Sequence, residues 1–162
     1  MKNAFLIFIL ATLSGCIYSF TGSSVPPHMK TISIPLMQDQ SGFGEPNLKE
    51  ELTKKLTDLF INDNTLSIAD RSTADAIIEG TVVAVSDAPI VIEKGEKVDS
   101  RRITISTRIT LQDLQLRKMM WEKDFANWGD YKTGNFEERQ KAITEALRKI
   151  SEDILLQTVS NW

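Results

Sequence analysis

The chain has 162 residues, with 19 Lys and Arg against 22 Asp and Glu, one His and one Cys. Hydrophobic residues make up 41% of it and charged residues 25%, ordinary values for a globular domain that exclude collagen-like, low-complexity and wholly disordered chains. A net charge of −3 gives no overall attraction to nucleic acid. A single Cys excludes an intrachain disulfide, and the length suits one domain behind an N-terminal signal.

The N-terminal segment has the pattern of a lipoprotein signal peptide. Lys2 supplies the positive charge, and residues 4–13 form an apolar run whose helix would reach only ~15 Å, too short for a bilayer. The segment ends in Leu-Ser-Gly-Cys, which resembles a bacterial lipobox: small residues give access to the cleaved bond, and the thiol carries the lipid. We therefore predict a signal peptide over residues 1–15 and lipidation at Cys16.

The residue after Cys16 is Ile17, whereas an Asp at this position typically marks inner-membrane retention of Gram-negative lipoproteins. Outer-membrane delivery is therefore expected, and several acyl chains on one residue give a stable anchor. Residues 16–28 are rich in Gly, Ser and Pro, so they are predicted to form a lipidated tether. The only histidine, His28, is expected to be a solvent-exposed residue of this tether, and residues 29–162 are expected to form a single α+β domain.

The first half of the domain combines strand and helix patterns. Residues 30–37 place apolar side chains at period two, which predicts a half-buried strand, and Pro35 indicates an edge position or a strand end. Pro46 suits a first helical turn, and Leu residues at helical spacing follow it up to an Asn-Asp-Asn sequence. A short strand over residues 65–69 and a strand rich in β-branched residues over 76–85 are expected next.

The second half contains the clearest pattern. Ile and Leu alternate with polar residues from 103 to 111, which predicts a strand, and residues 119–128 are expected to pair with it through a turn near 115–118. Asn135 followed by Glu138 predicts the capped start of a last helix. The order β-α-β-β-β-α indicates an α+β architecture, with two helices packed on one face of a mainly antiparallel, roughly four-stranded sheet.

Residue sets for catalysis are missing from the sequence. The single His lacks the partners that a triad or a metal site needs, and Cys16 is used for lipidation. Glu93, Glu96 and Asp99 do not have the spacing of an EF-hand loop, and no Gly-rich phosphate loop is present. We therefore expect no enzymatic activity, no metal, no cofactor and no nucleic-acid partner.

Basic residues beside the long strand and in the following turn are the candidate ligand-binding groups. Arg and Lys on loops suit phosphate recognition, although a charged loop can also be simply solvated. Trp121 and Phe125, at alternating positions of the hairpin, are expected in the core rather than at an interface. The basic candidates are Lys94, Lys97, Arg101, Arg102, Arg117 and Lys118.

Taken in chain order, several segments resemble the lipopolysaccharide-assembly lipoprotein family, LptE, particularly its Bacteroidetes/Chlorobi-type branch. The resemblance covers nearly the whole chain, and none of its motifs is catalytic. It rests on the lipobox, Tyr18-Ser19-Phe20-Thr21-Gly22, Thr31-Ile32-Ser33-Ile34-Pro35, Leu52-Thr53, Ala74-Asp75 followed by Glu79-Gly80, and Val159-Ser160-Asn161-Trp162.

The resemblance implies an outer-membrane lipoprotein that sits as a plug inside the β-barrel translocon LptD. Members of the family help this barrel to assemble and contact lipopolysaccharide on its way to the outer leaflet. They are reported to bind lipopolysaccharide through basic residues, but no fixed motif transfers these to our chain, so the six candidates above rest on their chemistry alone.

The main alternative is a structural envelope lipoprotein of a secretion or pore system. The N-terminal half also looks like TolB-N-type and curli-pore modules, which share its strand-helix-strand start. The long hairpin and the terminal helix ending in Asn161-Trp162 favour the assembly lipoprotein.

Overall fold

A computed structural model of the chain describes residues 25–90 and 99–160. The predictions for the signal peptide, Cys16, Lys94, Lys97 and Trp162 lie outside the described residues. The elements in chain order are β1 (Thr31–Ser33), β2 (Gln38–Asp39), α1 (Leu48–Asp63), β3 (Ser67–Ile68), β4 (Ala76–Pro89), β5 (Ser100–Asp113), β6 (Lys118–Lys132) and α2 (Phe136–Ser160).

All six described strands belong to one mixed sheet. Five of them follow the order β3-β1-β4-β5-β6, and β2 pairs with β4 beyond the end of β1. β1 runs parallel to β3 and β4, and β2 runs parallel to β4, whereas β4, β5 and β6 form an antiparallel meander. The α+β class with two helices is confirmed, but the prediction of a mainly antiparallel sheet of about four strands is wrong.

The parallel pairs arise because α1 is a crossover connection. It returns the chain to the end of the sheet where β1 began, so that β3 lies beside β1 in the same direction. The single strand predicted over residues 30–37 is interrupted around Pro35, which has no N–H to donate to a ladder. As a result, β1 and β2 pair separately with β4.

One core lies between the sheet and the two helices. The side chains of β5 alternate between this core and an open face of the sheet. Phe125 is buried and packs edge-on against the partly buried Trp121, with ring centroids 6.2 Å apart, so both aromatics belong to the core as predicted. The helices and β5 contribute Leu52, Leu56, Phe60, Ile103, Ile105, Ile109, Leu111, Leu147, Ile150 and Ile154 to the fully buried set.

The start of α2 is tied to the end of β6. The Asn135 side chain accepts a hydrogen bond from the Glu138 N–H at 3.1 Å, as expected of a helix cap. The Glu138 carboxylate in turn accepts one from the Lys132 N–H at 3.0 Å. A Cβ atom at Gly129 would lie 2.3 Å from the carbonyl oxygen of Ala142, so α2 packs directly on the β6 backbone at this glycine.

The described helices are not of the kind that crosses a bilayer. None of them combines the length and the apolar composition that a membrane-spanning helix needs.

Candidate interaction surfaces

β5 places the predicted basic residues at opposite ends of the sheet. Arg101 and Arg102 lie near its start, beside the connection from β4, whereas Arg117 and Lys118 lie at the β5–β6 turn. At about 3.3 Å per residue, the strand from Arg102 to Asp113 spans about 36 Å. The described members of the predicted set therefore form two separate groups.

We name each end of the sheet after the segment that lies there. The loop end comprises Asp87, Arg101, Arg102, Tyr131 and Arg139, around the β4–β5 connection. The tether end comprises His28, Asp75, Asp113, Gln115 and the rest of the β5–β6 turn, where the predicted tether meets the domain.

A largely buried network of charges joins α2 to the sheet at the loop end. Arg139 donates to Glu45 Oε2 at 2.7 Å and to Asp87 Oδ2 at 3.5 Å. Asp87 also accepts from Arg101 Nε at 2.8 Å and from the Tyr131 hydroxyl at 2.6 Å. The side chains of Glu45 and Asp87 are only 7% and 14% exposed. The guanidinium of Arg101 is therefore used to hold the fold together.

The carboxyl groups of this network are held in their charged form. Burial alone would raise the pKa of Asp87, but hydrogen bonds from Tyr131 and Arg101 outweigh it and hold the pKa below its usual range. At Glu45 burial is likewise outweighed, chiefly by the hydrogen bond from Arg139, so its pKa is also lowered. Because these pKa values are lower in the folded state, the network stabilises the fold at neutral pH, and this contribution is lost as the pH falls below about 4.

The open face of the sheet carries ion pairs across neighbouring strands. Arg102 donates two hydrogen bonds to Asp130, at 2.7 and 2.8 Å, and its guanidinium carbon lies 4.9 Å from the ring centroid of Trp128. Arg108 pairs with Asp124 in the same way, at 2.8 and 3.0 Å. Both pairs are about half exposed, so each stabilises the fold only weakly and can exchange for another anion. Arg108 is absent from the predicted set, although its alternation with isoleucines places it on this face.

A groove of about 480 Å³ opens on the same face between the β1–β2 connection and β4. Its wall includes Leu36, which is 56% exposed, and Arg71, which donates to Glu79 at 2.8 Å. Arg108, which is paired with Asp124, also lines the groove. Both arginines of the groove therefore have carboxylate partners. In the part of the chain that the structure describes, no group of His, Cys, Asp and Glu side chains could hold a metal ion.

At the tether end, His28 is bound to the β5–β6 turn. Its Nε2 lies 2.5 Å from Oδ2 of Asp113, whose side chain is fully buried, and its carbonyl accepts a bond from Gln115 Nε2 at 3.4 Å. The second oxygen of Asp113 accepts from the Leu116 N–H at 2.7 Å. The expectation of a solvent-exposed linker histidine is wrong, because a backbone turn that begins at Pro26 brings the imidazole to this carboxylate.

Asp75 fixes the residues that follow His28. Its Oδ2 accepts hydrogen bonds from the N–H groups of Lys30 and Thr31, at 2.8 and 2.9 Å, and its Oδ1 accepts from the Gln115 amide at 2.5 Å. The backbone hydrogen bond from Lys30 is the largest cause that lowers the pKa of Asp75 to about 2. The point where the predicted tether joins the domain is therefore fixed to the β5–β6 turn.

We expect the loop-end network to matter far more for stability than a surface ion pair on the same helix. Arg139→Met removes the only cationic partner that the structure describes for the buried Glu45, and one of the partners of Asp87, which keeps Arg101 and Tyr131. It should lower the free energy of unfolding by about 3 kcal/mol. The matched change Arg148→Met removes exposed contacts with Glu145 and Glu152 and should change the free energy of unfolding far less. Denaturant unfolding at neutral pH measures both. The Arg139→Met deficit should shrink below about pH 4, and equal losses in the two variants would contradict this account.

Comparison with known proteins identifies the family. The family model of LptE, described as lipopolysaccharide-assembly, matches residues 29–158. No curated protein matches the chain.

Several solved structures share the fold. The hypothetical protein CT253 from Chlamydia trachomatis has a TM-score of 0.61 at 8% identity, over 80% of this chain and 95% of that one. Protein XCC0632 from Xanthomonas campestris has a TM-score of 0.59 at 10% identity, over 83% and 88%. The rare lipoprotein B from Shewanella oneidensis has a TM-score of 0.54 at 12% identity, over 79% and 92%. Identities this low show similarity of fold alone.

The matched region holds every described strand, α1 and nearly all of α2, and its first residue, Met29, directly follows the His28 junction. Apart from His28, it thus contains both ends of the sheet described above. The chain belongs to the LptE family of lipopolysaccharide-assembly lipoproteins.

Proposed function

We propose that this protein is an outer-membrane lipoprotein, anchored through Cys16, that plugs and helps assemble an LptD-type β-barrel translocon. In this role it assists delivery of lipopolysaccharide to the outer leaflet, with its domain facing the periplasm and the barrel lumen. The family match over residues 29–158 carries the proposal. Since LptE is a family of assembly lipoproteins and not of enzymes, we expect no enzymatic activity.

The open face of the sheet is the surface that best suits a polar barrel wall. Its charges are neutralised in cross-strand pairs, such as Arg102 with Asp130 and Arg108 with Asp124. Between these pairs lie small side chains, including Ser106 opposite Ala126. A face with paired charges and small residues can lie against a water-lined interior without burying an uncompensated charge. We therefore propose that this face turns toward the barrel.

Lipopolysaccharide carries phosphates and carboxylates. Of the two groups of basic residues, the one at the loop end is better suited to bind it. Arg102 is 42% exposed and has an exchangeable partner, so a phosphate can replace Asp130. Lys94 and Lys97 precede it closely in the sequence, whereas the neighbouring Arg101 is engaged by Asp87 and Tyr131. The two basic residues of the β5–β6 turn lie about 36 Å away along β5, too far to contact the same phosphate.

Charge reversal at Arg102 should therefore weaken lipopolysaccharide binding. We expect Arg102→Glu to reduce the affinity about tenfold, because one charge-assisted hydrogen bond to the ligand is lost. Arg108→Glu is the matched control, because Arg108 has the same strand, face and type of carboxylate partner. Binding of purified lipopolysaccharide to the lipidated protein at fixed ionic strength measures both, and equal losses would remove Arg102 from the proposed site.

Affinity purification tests the barrel partner. The tagged, natively lipidated protein, extracted from outer membranes of its host in mild detergent, should bring down a large β-barrel protein in stoichiometric amount. Cys16→Ala should release the protein from the membrane only where the barrel does not retain it. Recovery of the lipoprotein alone, or with subunits of a secretion pore, would contradict the plug and favour the structural alternative.

A further inference from the structure

We propose that the β5–β6 turn rests on the phospholipid surface that holds the acyl anchor. Leu116, Arg117, Lys118 and Met119 would make this contact, and the ligand is an anionic phospholipid headgroup. The inference rests on the proposed lipidation of Cys16. It assigns the two basic residues of the turn to the bilayer and not to lipopolysaccharide.

The first support is the place where the predicted tether ends. The bonds from His28 to Asp113 and Gln115 fix this junction to the turn. The stretch from Cys16 to Val25 reaches at most about 32 Å when fully extended, at ~3.5 Å per residue. The 14 residues of β5 span about 43 Å, which is longer than this reach. The anchor therefore keeps the start of the domain within about 32 Å of the bilayer, which favours contact at the tether end over contact at the loop end.

The second support is the exposed apolar surface of the turn. Leu116 is 64% exposed and Met119 is 52% exposed. Both are large apolar residues in or next to the tight turn. Arg117 adopts a left-handed backbone conformation, with φ 52°, at the end of this turn. Apolar side chains beside long cationic ones are typical of membrane interfaces, where the apolar part enters the headgroup layer and the charge stays among phosphates.

The third support is charge. Within residues 25–90 and 99–160, the side chains of Arg117 and Lys118 have no carboxylate partner. The neighbouring carboxylates of Asp75 and Asp113 are bound to Lys30, Gln115, His28 and other groups of the fold. The partner that complements two free cations in this position is an anionic surface. Arg117 stands apart from the other arginines of residues 25–90 and 99–160, each of which pairs with a carboxylate: Arg71, Arg101, Arg102, Arg108, Arg139 and Arg148.

A fluorescent label at the turn tests the contact directly. Leu116→Cys and, separately, Phe136→Cys would be labelled in the full-length lipidated protein, where lipidation leaves Cys16 no free thiol. Phe136 is the matched control because it is an exposed apolar residue, 70% exposed, at the opposite end of the sheet. The proteins are placed in vesicles of phosphatidylethanolamine and phosphatidylglycerol that contain a headgroup-linked quencher. We expect strong quenching at position 116 and little at 136.

Charge reversal completes the test. Each basic residue near an anionic surface increases the affinity for that surface about fivefold. The double change Arg117→Glu with Lys118→Glu should therefore lower the affinity of the turn for the membrane by at least about 25-fold. Lys132→Glu with Lys141→Glu changes the net charge equally at the other end of the domain and should leave quenching at 116 intact. In vesicles of phosphatidylcholine alone, quenching at 116 should fall.

The outcomes separate the anchor from the contact. A protein that stays on the vesicles after a high-salt wash but shows no quenching at 116 would keep the anchor and overturn the contact. A protein that washes off would overturn both the contact and the anchoring at Cys16. Quenching at 116 that needs lipopolysaccharide in the vesicles, and is absent with phosphatidylglycerol, would overturn the assignment to phospholipid.

Discussion

The long pairing of β5 with β4 and β6, shifted in register once on each side, is the constraint on which the rest of the molecule depends. Its antiparallel partners follow it along nearly its whole length, so the meander forms a stiff unit with one buried face and one open face. The buried isoleucines of β5 belong to the same core as the apolar side chains of α1 and α2. Because a strand has a fixed rise per residue, this pairing also sets a separation of tens of ångströms between the two ends of the sheet.

That separation keeps the charged groups of the loop end apart from those of the tether end. At the loop end, ionised carboxylates are neutralised by arginines inside the fold, and the half-exposed Arg102 remains available to an outside anion. At the tether end, Asp75 and Asp113 hold the junction in place, and Arg117 and Lys118 of the turn have no carboxylate partner among the described residues. In our account, one end of the domain faces the bilayer that anchors it, and the other end meets lipopolysaccharide some distance away.

The sequence predicts those parts of the fold whose patterns are long. The alternation over residues 103–111, the hairpin that follows and the Asn135 cap of α2 are confirmed. The parallel pairs were missed because strands of two or three residues have too little periodicity to reveal their direction. The bond between His28 and Asp113 joins positions 85 apart, and no local pattern signals it.

The candidate site shows the same limit. Arg101 and Arg102 are adjacent and chemically alike, yet they lie on opposite faces of the sheet because side chains alternate along a strand. Arg101 therefore pairs with Asp87, and Arg102 pairs with Asp130. Which arginine is engaged by the fold and which is exchangeable depends on neighbouring strands, so sequence alone treats both as equal candidates. The pairing of the open-face arginines is likewise visible only once the register of β5 and β6 is known.

Site-specific photo-cross-linking from the open face tests the central claim, that this face lies against a barrel, most directly. A photo-reactive residue would replace Thr104, and in a second variant Ala126, in the lipidated protein within outer membranes. Glu152, on the exposed side of α2, serves as the control position. We expect both open-face positions to give a covalent product with a large β-barrel protein at higher yield than position 152. Products with secretion-pore subunits, or no barrel product from either position, would contradict the account.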